Sequence, residues 1–111
     1  MNSRTRNILE HMLEDAADAV RFAKEAGSVD VFTDNRLYQK AVVMSILNIG
    51  ELTKQLPPEF KLEHTEIPWK QIAGMRDIAA HGYHEMDNEI IWDVATRSMP
   101  ELLVFLKKQL G

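Results

Sequence analysis

The sequence predicts an all-α domain, a compact antiparallel bundle of four to five helices. Three observations carry this reading. Apolar residues recur at three- and four-residue spacing through most of the 111 residues, glycine, proline and capping residues punctuate those segments, and no stretch has the alternation of a strand. At this length, 1–111 reads as a single domain with one modest core.

The first helix is expected from about Arg4 to Ala26, where Ile8, Leu9, Met12, Leu13, Ala16, Val20 and Ala23 share a face and Gly27 supplies the stop. Glu10, Glu14, Asp15 and Asp18 lie off that face and read as solvated. "GSVDVFTD" reads as a loop leading to a second helix, about Asn35 to Leu56, with Asp34 as N-cap and Pro57-Pro58 as terminator. That helix is apolar nearly all round and is expected to be central and buried. Asn48 and Glu51 fall on the same side as Leu37, Ala41 and Met44, which makes this side either the rim of the core or the border of a cleft.

"PPEFKLEHTEI" reads as a second loop, and a third helix begins at Pro68, a favoured first-turn residue. The last helical segment starts after Asp87, a good N-cap. Pro100 interrupts it, and "SMPE" reads as a new capping box of Ser98 and Glu101, so the segment is either kinked or two consecutive helices.

Composition narrows the chemistry. Without cysteine there are no disulfides and no thiolate metal sites, and a reducing cytoplasm is the expected location. The most apolar run, "AVVMSILNIG", is too short and interrupted to span a bilayer, and the first twenty residues are charged and helical rather than a secretory leader. A net charge of −4 argues against a generic nucleic-acid coat protein and leaves room for a small, locally basic site.

The unusual stretch is "GMRDIAAHGYHEMD", residues 74 to 87. Arg76 falls within an apolar arc with Trp69, Ile72, Ala73, Ala79 and Ala80, where a guanidinium without a partner would be costly. Either it pairs with a carboxylate, Glu51 being the candidate, or this face meets a subunit or ligand, or the stem packs while the head reaches water. His81 is placed as the approximate C-cap, with Gly82 in the left-handed position after it. The negative end of the helix dipole and Asp77, one turn earlier, both favour an imidazolium suited to proton transfer. A purely capping histidine fits the same pattern.

Residues five apart are rotated by about 140° on a regular helix. Arg76 and His81 therefore converge only if the last turn unwinds or if two copies meet across a dimer, and a homodimer is expected. His81, His84, Glu85 and Asp87 lie across a turn without a metal-site spacing such as H-E-x-x-H, so no metal centre is expected.

Arg76, His81 and Tyr83 together resemble the R-x4-H-x-Y signature of the HEPN superfamily, and more closely its HepT-like branch. "NIGELTKQLP", "EIPWKQIAGMRDIAAHGY" and "DNEIIWDVATRSMPEL" are similar to that branch's segments, and the resemblance covers most of residues 37 to 106. It implies a HEPN-like fold and an RNA endonuclease that uses no metal and no cofactor, with Arg76 and His81 as the catalytic pair and Asp77 at a variable polar position. Glu51 and Asn48 are candidate supporting residues. The resemblance further implies the toxin half of a type VII-like toxin–antitoxin pair, whose partner, a minimal nucleotidyltransferase antitoxin, adds AMP to Tyr83. Packing of Tyr83 against Ile78 at the helix end is compatible with that role. The alternative is a non-catalytic helical binding subunit of a nucleotidyltransferase complex.

Overall fold

The computed structural model describes residues 1–82 and 87–111, with the backbone alone for 78–82. Helix α1 spans Ser3–Ala26. Asn2 opens it by accepting from the Thr5 N–H at 2.8 Å, and Gly27 ends it at φ 81°, a conformation that disfavours a Cβ. Next come α2 (Val29–Asp34), α3 (Arg36–Gln55), α4 (Pro58–Glu63), α5 (Trp69–Gly82), α6 (Asn88–Asp93), a π turn (Val94–Ser98) and α7 (Met99–Leu110). Regular structure among the described residues is entirely helical, as the spacing predicts. No described helix is long and apolar enough to cross a membrane.

Two segments expected as loops contain short helices. In "GSVDVFTD", Ser28 caps α2 through the Val31 N–H, and the fully buried Phe32 pins this helix against Trp92 at 5.4 Å between ring centroids. The cap of α3 is consequently Asn35, which accepts from the Tyr38 N–H, and not Asp34, which closes α2. In "PPEFKLEHTEI", α4 forms with Pro58 in its first turn. Both helices are too short to show a hydrophobic period, and tertiary contacts fix them.

α3 packs between α1 and α5, and α1 packs between α3 and α7. Ile8, Leu9 and Met12 of α1 share a cluster with Ile49 and Leu56, whereas Ala23 and Ala26 share one with Val42 and Val43, so α1 and α3 are antiparallel. Burial of α3 is one-sided: Val42, Val43, Ile46 and Ile49 are buried, while Leu37 is 73% and Met44 56% exposed. The expectation of a helix buried all round is corrected here, because no described element covers that side.

The start of α5 is anchored by aromatic rings. The Trp69 indole N–H donates to the His64 carbonyl at 2.9 Å, and its ring meets Phe105 of α7 edge-on at 5.8 Å. Phe60 of α4 packs on His64 and Trp69 in the same group. Ile67 and Trp69 are buried while Pro68 between them is exposed, so α5 begins at Trp69, one residue after the expected proline. Trp69, at the start of α5, shares a cluster with Leu56, past the end of α3, and Arg76 lies over Gly50, so α3 and α5 are also antiparallel.

Pro100 is accommodated without a break. The π turn widens the helix by one residue, the Met99 N–H bonds the Val94 carbonyl, and α7 continues directly. Ser98 has helical dihedrals and no side-chain cap bond, so the expected capping box with Glu101 does not form. Asp87 does cap α6, accepting from the Glu89 N–H at 2.8 Å.

Trp69→Ala should lower stability by about 3–5 kcal/mol, the usual cost of deleting a buried aromatic. The urea midpoint, followed by far-UV circular dichroism, measures this; a midpoint within error of wild type would show that the aromatic anchor does not hold α5.

Candidate active site

The site begins with a close contact between helices. A Cβ built on Gly50 would overlap the Arg76 Cβ and sit 3.1 Å from the Ile72 carbonyl oxygen and 3.3 Å from the Arg76 Cα. Only a residue without a side chain lets α5 lie this near α3 at that level. The same contact brings Arg76 beside the next residue of α3, Glu51.

Arg76 Nε lies 3.1 Å from Glu51 Oε2, and its Nη1 lies 3.5 Å from Asp77 Oδ1. The guanidinium is half-buried, with 37% of the side chain exposed. Of the readings the sequence leaves open, the carboxylate partner is the one observed. At this exposure each pair contributes about 0–1 kcal/mol, so the contacts orient the guanidinium more than they stabilise the fold.

The resemblance leads one to expect Asp77 committed to His81 or Arg76, and the Arg76 contact is present at 3.5 Å. A shorter contact joins it to Lys54 of α3, whose Nζ donates to Asp77 Oδ1 at 2.7 Å. Two cations thus converge on one carboxylate oxygen. The Lys54 hydrogen bond is the chief cause that holds the Asp77 carboxyl below its ordinary range; slight desolvation opposes it, and the charges of Lys54 and Arg76 assist. Lys54 was missed although it lies one turn beyond Gly50 and Glu51 on the same helix. Spacing within α5 directs attention to partners within α5, and a long lysine reaches across from α3.

Asn48, expected as a supporting residue, bonds across to α1. Its Nδ2 donates to Asp15 Oδ1 of α1 at 3.4 Å, and among the described polar contacts nothing joins it to Arg76. Burial pushes the Asp15 carboxyl up, against the Asn48 hydrogen bond that lowers it, and the charges of Asp18 and Glu14 add to the rise. Asp15 therefore belongs partly to the α1–α3 contact, whereas Glu10 and Glu14 are exposed as expected.

α5 runs through Gly82, so the expected end of the helix at His81, with Gly82 left-handed after it, is corrected: the backbone stays helical at both. The His81 side chain lies outside the described residues, as do Tyr83, His84 and Glu85. Among the described residues no group of three or more acidic or histidine side chains could hold a metal ion.

Two measurements check this geometry. Gly50→Ala should cost about 1–3 kcal/mol through overpacking, whereas Gly74→Ala, whose Cβ meets nothing within 4 Å, should be neutral or gain up to about 1 kcal/mol from helix propensity. Thermal melts in parallel would show equal shifts if the crossing were loose. Separately, the lowered Asp77 value means that its contribution to stability is present above the ordinary carboxylate range and is lost as pH falls through the folded value. Carboxyl NMR should give Asp77 a midpoint below 3.8, returning toward 3.8 in Lys54→Met; an unchanged midpoint in that variant would remove Lys54 as the cause.

The chain is similar to known proteins over most of its length. The family model described as "Ribonuclease HepT-like" matches residues 12–109. A protein of Caldanaerobacter subterraneus subsp. tengcongensis, named a "Putative RNase", is 38% identical over 97 residues, which cover 87% of this chain and 86% of its own. A "Probable ribonuclease HepT" of Thermococcus cleftensis is 36% identical, covering 81% of this chain and 84% of its own. A "Putative RNase" of Methanocaldococcus jannaschii is 36% identical over 86% of this chain and 78% of its own. No solved structure matches the chain. With the family model matched over residues 12–109 and relatives 36–38% identical over most of both chains, the chain belongs to the HepT-like ribonuclease family.

Proposed function

We propose that the protein is a metal-independent endoribonuclease that cleaves RNA through the 2′-hydroxyl, in a cleft formed by two copies of the chain. The observation that carries this reading is the half-exposed Arg76, oriented by Glu51 at the Gly50 crossing, within the R-x4-H-x-Y motif of a ribonuclease family. In the reaction the 2′-oxygen bonds to phosphorus and the bond from phosphorus to the 5′-oxygen breaks. A base accepts the 2′ proton and an acid supplies one to the leaving oxygen, which leaves a 2′,3′-cyclic phosphate. Arg76 faces the equatorial phosphoryl oxygens, where a planar guanidinium matches both geometry and charge. Histidine is the residue type suited to both proton transfers near neutral pH, and two copies of His81 supply base and acid.

The dimer is supported from two directions. With α5 helical through Gly82, residues 76 and 81 stay about 140° apart around the helix, so unwinding does not bring them together. The exposed Leu37 and Met44 lie on the side of α3 that also carries Glu51, an apolar face on which a second copy would be buried. Silencing by a minimal nucleotidyltransferase antitoxin that transfers AMP to Tyr83 fits the same site, since a bulky anion beside the motif would block the cleft and repel RNA.

The test is incubation of the purified protein with RNA in EDTA beside Arg76→Ala and His81→Ala proteins of matched melting temperature. Cleavage by the wild type, lost by at least about 100-fold in either variant, is the expected result, given what general acid–base and electrostatic groups contribute. Met44→Glu should yield a monomer by light scattering and lose cleavage with it. No cleavage by a wild type whose intact mass shows unmodified Tyr83 would favour a non-catalytic binding subunit instead.

A further inference from the structure

Next to the motif, α3, α4 and α5 bound a groove of about 520 Å³ lined by Lys54, Lys61, Lys70, Trp69, Asp77 and the small pair Ala73 and Gly74. Three of the chain's seven lysines meet here, in a protein whose net charge is −4. Among the described lining residues the one carboxylate, Asp77, is already engaged by Lys54 and Arg76. Among the described residues Lys61 Nζ reaches a backbone carbonyl, that of Thr53 at 3.5 Å, and no carboxylate. Among the described residues Lys70 makes no ion pair, and it is exposed.

The floor of the groove is bare. Gly74 has nothing within 4 Å of the place a Cβ would take, and its neighbour Ala73 has only a methyl group. Trp69 is 8% exposed, its ring committed to Phe105 and Phe60. Asp77, which lines the groove, lies 3.5 Å from Arg76 Nη1. Repeated cations along an open floor that adjoins this arginine complement a chain of phosphates.

We propose that this groove carries the single RNA strand flanking the scissile phosphate, with Lys61 and Lys70 on successive phosphates and Lys54 at the junction with Arg76. The assignment rests on the ribonuclease reading above for the identity of its occupant. It adds a binding surface outside the motif, in which the local charge of α3–α5 offsets the acidity of the whole chain.

The experiment uses a 2′-O-methyl oligoribonucleotide of about 12 nucleotides, within the usual site size of single-strand binders, which cannot be cleaved through a 2′-hydroxyl. Its Kd is measured against salt concentration for the wild type, for Lys61→Gln/Lys70→Gln, and for Arg21→Gln/Lys24→Gln. The last pair removes the same charge from the exposed end of α1, which packs with Val42 and Val43 in the half of α3 remote from Lys54. Each phosphate contact to a single strand contributes about 0.7 to the slope of log K against log salt, so the groove pair should lower the slope by about 1.4 and the α1 pair should leave it unchanged. Equal effects of the two pairs, no effect of the groove pair at matched melting temperature, or no binding by the wild type would overturn the assignment.

Cleavage of unmodified RNA by the same proteins separates this proposal from the reading beneath it. A wild type that binds through the groove and does not cleave sinks the ribonuclease reading alone. Cleavage that Lys61→Gln/Lys70→Gln leaves unchanged sinks the groove alone.

Discussion

The close approach of α3 and α5 at Gly50 is the constraint on which the site depends. A side chain there would push against the Arg76 Cβ and the Ile72 carbonyl, and α5 would have to move outward. With glycine, the next residues along α3 fall into place beside α5: Glu51 against the Arg76 guanidinium and, one turn later, Lys54 against Asp77. The level at which α5 meets this contact is set from the other end. Ile67 and Trp69 are buried around the exposed Pro68, and the indole bond to His64 and the ring contact with Phe105 fix where the helix starts. An aromatic anchor before the helix and a glycine contact in its middle together place one arginine.

The electrostatics follow from that placement. Arg76 is neither buried, where an ion pair would have to offset a large desolvation cost, nor fully solvated, where its orientation would be lost. Glu51 and Asp77 hold it while leaving about a third of the side chain open to an incoming anion. Asp77 is the most conditional member of the group, since its oxygen occupies a point where two cations converge and a phosphate oxygen could replace it. The acidic total charge of the chain thus says little about the local field at the motif.

Much of this was legible in the sequence, for identifiable reasons. The long helices α1 and α3 have strong periodicity and clear stops, and the cost of an unpartnered arginine makes Glu51 one of the candidate partners, the one observed. What was not legible depends on tertiary contacts. α2 and α4 are six residues each and owe their form to Phe32 and Phe60 docking elsewhere. The side of α3 with Leu37 and Met44 stayed open between core rim and cleft border because composition does not reveal that a helix face is left uncovered. Lys54 was invisible as a partner of Asp77 because the pairing crosses between helices, and Ser98 looked like a cap because a π turn leaves no mark in residue types.

The most direct measurement is end-group analysis of a defined RNA strand cleaved in EDTA, with the new 3′ ends read by mass spectrometry. Attack by the 2′-oxygen, with Arg76 on the phosphoryl group, is expected to leave 2′,3′-cyclic phosphate ends from the wild type and none above background from Arg76→Ala. Free 3′-hydroxyl ends, or cyclic ends formed equally well by Arg76→Ala, would contradict it.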